Sequence, residues 1–151
     1  MVYIGIVAAI FSIDGLIKWY IEKSKKPGEI SPKCKGFLWI RKYHNTGAFL
    51  NLGENHQGVV KWISVLLCVF TTVVFAFTLG QKGNGMLKAG LALLLGGSYS
   101  NTYDRLRRKY VVDYFSLHIE NRIFKGLSKV VFNISDFCIA IGAMVAVWRS
   151  V

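Results

Sequence analysis

The sequence is poor in acid. Eight Asp and Glu stand against nineteen Lys and Arg in 151 residues, a net charge of +11. Cysteine and histidine are scarcer, with three of each. Cys34, Cys68 and Cys138 form an odd set without a CxxC, which argues against a disulfide framework. Cys68 and Cys138 lie inside apolar runs, where a thiol acts as a small hydrophobe. His44, His56 and His118 are scattered, with no HExxH or other ligand spacing, so no metal and no cofactor is expected. No recognised nucleic-acid motif accompanies the positive charge. Internal repeats and low-complexity tracts are also lacking.

Apolar residues are abundant, at 53% with a mean hydropathy of +0.40. That exceeds the share usual in a soluble domain. A bilayer span needs roughly 20 mostly apolar residues, and four such runs occur: Val2 to Ile21, Val59 to Leu79, Met86 to Tyr103 and Val130 to Trp148. Residues 1–151 are therefore expected to form one all-α membrane domain of four transmembrane helices. Val2 to Ile21 has no basic n-region and no small-residue cleavage site, and it carries Asp14 and Lys18. It reads as a retained helix rather than a signal peptide. Gly80 to Gly85 is a tight turn, and Gly90, Gly96 and Gly97 permit close helix packing.

Two long polar connections remain, Glu22 to Gly58 and Asp104 to Lys129. The first begins with a turn-rich charged run. In it, Phe37 to Tyr43 and Ala48 to Leu52 flank an Asn-Thr-Gly turn, which predicts a small surface β-hairpin or sheet. Basic residues cluster in both connections, between apolar runs, so anionic lipid headgroups suit them better than nucleic acid.

Span counting puts both connections on one side of the membrane. Asn45, Gly47, Asn101, Asp104, Arg105, Asp113, Asn133 and Asp136 all fall there, with Asp14 ~10 Å deep in the first span. All four aspartates of the chain belong to this set. Asp14 and Lys18 lie on one helical face, either as a pair that lowers its own insertion cost or as part of the chemistry. Asp104 and Arg105 read as a helix-end ion pair or a loop brace. Asp136 lies about one turn into an apolar span. A lone carboxylate there costs several kcal/mol unless paired, so it marks a functional site. Asp113, in VVDYF, reads equally well as one polar residue of a surface strand until Asp136 is set beside it.

Taken together, these residues resemble lipoprotein signal peptidase, the signal peptidase II family of bacterial inner-membrane aspartic peptidases. Asp14 and Lys18 look like the family's first-helix acid and lysine. Asn45 to Phe49 matches its asparagine-glycine-alanine-phenylalanine motif. Gly96-Gly97 through Asn101, Asp104 and Arg105 is similar to its glycine-rich third motif. Val111 to Tyr114 and Phe132 to Asp136 resemble the two motifs with its catalytic aspartates. Four departures stand out: Ser100 in place of glycine, Tyr114 in place of phenylalanine, Ser135 in place of a small apolar residue, and no proline in the stretch before Phe132.

The resemblance implies that Asp113 and Asp136 activate water to cut diacylglyceryl-modified prolipoproteins before the lipidated cysteine. Asn45, Gly47, Asn101, Asp104, Arg105 and Asn133 would position substrate or aspartates, and Asp14 and Lys18 would support them. It further implies a monomer, membrane-lipid contacts, sensitivity to cyclic-peptide inhibitors, and a multi-pass place in the inner membrane. The active site would face outward. Charge alone argues the reverse, because each long connection carries seven Lys and Arg, the mark of a cytoplasmic loop. The family's orientation is followed, since cleavage comes after translocation. A small proton-coupled transporter and a catalytically weak paralogue or scaffold are the competing readings.

Overall fold

The computed structural model describes residues 1–48, 54–118, 128 and 130–150. Helix α1 spans Val2–Ser24, α2 Gln57–Gly80, α3 Gly85–Arg107 and α4 Ile134–Ser150. Three short strands, β1 (Ile30–Lys33), β2 (Leu38–Asn45) and β3 (Val111–Leu117), form one antiparallel sheet in the order β1-β2-β3. Of the four helices, α1 and α2 are long and apolar enough to cross a membrane.

The bundle is arranged around α3, which packs against α1, α2 and α4. Polar side chains point inward: Asp14, Lys18, Ser100, Asn101, Asp104, Asn133 and Ser135 are all buried. Large apolar ones point outward, among them Phe11, Leu16 and Trp19 on α1, Leu66, Phe70 and Phe77 on α2, and Met144 and Trp148 on α4. This reverses the distribution that water imposes on a folded chain.

Glycine sets the helix spacing. A Cβ on Gly97 would lie 2.5 Å from the Ser135 carbonyl oxygen at the start of α4. One on Gly142 of α4 would lie 2.5 Å from the Gly90 oxygen of α3. On the other flank, Gly96 meets Ile10 of α1 at 3.0 Å. The expected small-residue packing is thus present, and its two sides serve different neighbours: Gly96 faces α1, while Gly90 and Gly97 face α4.

The small sheet expected in the first long connection is present, but its pairing differs. The sequence predicts pairing of Phe37 to Tyr43 with Ala48 to Leu52. Instead β2 pairs with β1, within the run read as irregular loop, and on its other edge with β3 from the second long connection. Residues 49–52 of the anticipated partner arm, including Phe49 of the Asn-Thr-Gly-Ala-Phe motif, lie outside the described residues. So do the basic residues at 122, 125 and 129. Nor is β3 a surface strand. Val111, Val112 and Asp113 are each 1% exposed or less. The two-residue period of a strand turns Val112 and Tyr114 into a cluster with Ile17 and Ile21 of α1, and Val111 and Asp113 toward a cavity on the other face.

Two helix bounds also shift. The third helix runs to Arg107, so Asp104 and Arg105 are helical rather than part of a connection, and the fourth begins at Ile134 rather than near Val130.

Replacing Gly97 with alanine forces the α4 backbone to move, because the clash is with a carbonyl and not with a flexible side chain. Thermal or denaturant unfolding in detergent should register a loss of about 1–3 kcal/mol. Gly5, whose Cβ would meet nothing within 4 Å, should accept alanine without loss.

Candidate active site

The described chain resumes beside β3. The Phe132 carbonyl accepts the Tyr114 and Phe115 amide N–H groups at 2.9 and 3.0 Å, and the Phe132 N–H donates to the Phe115 carbonyl at 2.7 Å. This short antiparallel bridge puts Asn133 next to Asp113. One residue later α4 starts, with Asn133 as its cap. The Asp136 N–H donates to Asn133 Oδ1 at 3.0 Å, and the Asn133 N–H donates to Asp136 Oδ2 at 3.0 Å. This is the reciprocal arrangement of a capping box, here with Asn and Asp.

Asn133 therefore touches both carboxylates. Its Oδ1 is tied to the Asp136 amide, so its NH2 must point the other way. It donates to Asp113 Oδ1 at 2.6 Å and to Asn101 Oδ1 at 3.2 Å. Asn101 is oriented by the same logic. Its Oδ1 also accepts from Lys18 Nζ at 2.9 Å, which leaves its NH2 to donate to Asp136 Oδ1 at 2.8 Å. Asn45, at the end of β2, donates to Asp113 Oδ2 at 3.0 Å. Its own Oδ1 accepts the Gly47 N–H at 3.0 Å, and Arg105 Nη2 donates to the Gly47 carbonyl at 2.9 Å. Each of the four carboxylate oxygens thus has a neutral amide donor. Burial, and after it the nearby Asp136 carboxylate, pushes the Asp113 pKa up to about 7 against the bonds from Asn45 and Asn133.

Both aspartates, with Asn45, Asn101 and Arg105, line one wall of a cavity of about 550 Å3. Leu67 and Phe70 of α2, Leu94 of α3 and Ile139 of α4 line the rest. Helices α2 and α4 both pack on α3 and barely touch one another, so the cavity lies in the gap between them. Asp14, Lys18 and Asp104 are not in its wall but beneath it.

That lower layer is centred on Lys18. Its Nζ lies 2.8 Å from Asp14 Oδ2, 3.1 Å from Asp104 Oδ2, and donates to Ser100 Oγ at 3.0 Å besides Asn101. The Asp14–Lys18 pairing expected from their spacing is present. Asp104 and Arg105 do not pair with each other. Asp104 braces Lys18, Arg108 (Nε to Oδ1, 3.5 Å) and the Val112 N–H (3.3 Å), whereas Arg105 reaches across to the Gly47 carbonyl. Of the two readings of these residues, the brace holds and their mutual pairing does not, because consecutive residues on a helix point about 100° apart.

Three of the four departures from the family pattern meet at one carboxylate. Ser100 and Ser135 donate to Asp14 Oδ2 at 2.6 and 2.5 Å, and Tyr114 donates to Asp14 Oδ1 at 2.8 Å. The Tyr114 oxygen in turn accepts the Ile134 N–H at 2.9 Å. Burial and the Asp14 charge hold this phenol above its ordinary pKa, which keeps it a donor. In the sequence these hydroxyls stand as separate departures. Only the fold shows that they converge. The Asn-x-x-Asp cap at the head of an apolar run was the one available local signal for the role of Asn133.

Removing Lys18 leaves the fully buried Asp14 without a counter-charge and Asp104 with Arg108 alone. Lys18→Met should cost about 3–5 kcal/mol in a denaturant titration, and adding Asp14→Asn should recover part of it. An unchanged midpoint for the single variant would mean that the carboxylates are not held as ions.

The family profile described as "Signal peptidase (SPase) II" matches residues 6–151. A lipoprotein signal peptidase of Moorella thermoacetica is 30% identical over 149 residues, covering 99% of this chain and 92% of that one. Among solved structures, a bacterial membrane enzyme determined by the in meso method at 2.3 Å superposes with a TM-score of 0.82 at 20% identity, covering 99% of this chain and 87% of that one. A second, determined at 1.9 Å, gives 0.78 at 20% identity, covering 99% and 92%. These two likenesses speak to the fold, while the profile and the Moorella relative cover nearly the whole sequence: the chain belongs to the signal peptidase II family.

Proposed function

We propose that the chain is an aspartic endopeptidase that removes the signal peptide from diacylglyceryl-modified prolipoproteins, cutting before the lipidated cysteine, with Asp113 and Asp136 as its catalytic pair. Family membership makes it a peptidase of lipoprotein processing. The single observation that supports the dyad is the sharing of Asn133. One residue hydrogen-bonds two carboxylates from distant parts of the chain, at the wall of a cavity with an apolar remainder.

Two carboxylates this close hold one proton between them. The ionised member takes a proton from a water as that water attacks the scissile carbonyl carbon. The protonated member donates to the developing oxyanion; as the C–N bond breaks, the leaving amine takes the proton that the base drew from water, and the reforming carbonyl returns its proton to the carboxylate that gave it. Asn101, Asn133 and Asn45 keep the carboxylates aimed. Arg105, held on the Gly47 carbonyl, fixes the Asn45 turn against them. Leu67, Phe70, Leu94 and Ile139 would contact the apolar signal peptide, and substrate acyl chains would remain in the bilayer beyond the α2–α4 gap.

All four helices cross the inner membrane in this reading, with the sheet and the dyad at the outer face. Outward apolar side chains on α1, α2 and α4 support this, as does the enclosure of polar α3 by the other three helices. The enzyme acts as a monomer, and cyclic-peptide inhibitors of the family would compete for the same cavity.

Asp113→Asn and Asp136→Asn should each abolish cleavage of a diacylated prolipoprotein by the purified enzyme, while both variants remain folded in detergent. Near-normal turnover by either would sink the dyad assignment. The pH profile gives a second check. With the Asp113 pKa raised to about 7, the shared proton is lost above that value, so kcat/KM should fall roughly tenfold per pH unit beyond about pH 8. Stability follows the same titration. Because the folded state opposes ionisation of Asp113, its stabilising share is complete below about pH 4 and is lost as the pH rises toward about 7. Asp113→Asn should therefore unfold at a higher temperature than wild type near neutrality, with the advantage gone at low pH.

A further inference from the structure

A second, smaller cavity of about 160 Å3 adjoins the dyad cavity, with Arg105 in the wall of both. Thr46, Gln57, Gly58, Lys61, Arg105 and Lys109 line it. Three of these six are cations and none is an acid. Among the described residues neither Lys61 nor Lys109 has a carboxylate partner. Arg105 uses Nη1 and Nη2 on backbone carbonyls, but its buried Nε has no partner among them. Gln57 and Gly58 begin α2, and no side chain caps that 24-residue helix, so the positive end of its dipole meets the same space.

Lys109 adds an independent sign. Its φ is +71°, a left-handed conformation that glycine adopts without penalty and a lysine does not. The chain bears this cost where the side chain supplies a cation to the pocket.

We propose that this pocket binds the phosphate of an anionic phospholipid headgroup. The chemistry fits a phosphate: three cations in one wall, a threonine hydroxyl and the positive end of a helix dipole. The lipid source follows from position, and here the proposal rests on the membrane placement above. The pocket sits at the first turn of α2 and the end of α3, where the outward apolar surface begins with Val59, Trp62 and Ile63 on α2 and Leu106 on α3. A lipid lying along α2 would bring its phosphate to this height, and its acyl chains would run down the same helix toward the α2–α4 gap. The bound phosphate would also give Arg105 an anion on the side away from Asp113 and Asp136.

The test uses the Asp113→Asn protein, so that turnover plays no part. Detergent-solubilised protein is titrated with phosphatidylglycerol, phosphatidylcholine or inorganic phosphate, followed by native mass spectrometry and by the thermal unfolding midpoint. Phosphatidylglycerol is expected to bind more tightly than phosphatidylcholine. The Lys61→Gln/Lys109→Gly double variant should lose roughly fivefold in phosphatidylglycerol affinity per cation, about 25-fold in all, with phosphatidylcholine unaffected. Lys109→Gly suits the left-handed backbone, so the double variant should stay folded. Equal binding of the two lipids, or full retention of phosphatidylglycerol preference in the double variant, overturns the proposal. A response to millimolar inorganic phosphate as large as that to phosphatidylglycerol overturns the lipid as the ligand. No response to any lipid would count against the membrane placement itself, a separate failure.

Discussion

One buried ammonium holds this structure together. Lys18 sits where water is excluded, and a cation there is tolerable only if every N–H finds an acceptor and the charge is balanced. Its neighbours meet that demand from two helices: Asp14 on α1, and Ser100, Asn101 and Asp104 on α3. The requirement fixes how α1 lies against α3. It also fixes the rotation of the Asn101 amide, and through it which atoms face Asp136. A charge placed for solvation thus sets the geometry of a carboxylate it never touches.

Above this layer, the two aspartates meet because three unlike elements end at one place. β2 brings Asn45, β3 brings Asp113, and the cap of α4 brings Asn133 and Asp136. Gly97 allows the start of α4 to lie on the α3 backbone, close enough for Asn133 to reach Asn101. The polar cluster is dense, yet its donors to the dyad are all neutral amides. Such donors orient the carboxylates without adding net charge, so the charge of the pair is governed by its proton count alone.

Much of this was legible in the sequence. Hydropathy located four apolar segments, and the cost of a carboxylate within one singled out Asp136, beside which Asp113 gained its meaning. The Asp14–Lys18 spacing announced their pairing. What local pattern could not give was long-range partnership. Strand β2 has suitable neighbours on either side in sequence, and its pairing with β3 depends on the whole bundle closing. For Asp104 and Arg105 a mutual pair and a loop brace were both open, and helical geometry selects the brace by sending them to different partners. Ser100, Tyr114 and Ser135 are 14 and 21 residues apart in sequence and looked unrelated, because nothing in a linear pattern reveals a common acceptor.

That common acceptor has an evolutionary consequence. Asp14 takes hydrogen bonds from all three hydroxyls, so the worth of each depends on the other two. Replacing one alone leaves the shared carboxylate short of a donor, or leaves an orphaned hydroxyl beside an apolar replacement. A lineage could exchange the whole set for a glycine, a phenylalanine and a small apolar residue more readily than it could pass through the mixed states. Within relatives of this chain the three positions should therefore change together, as a single epistatic unit.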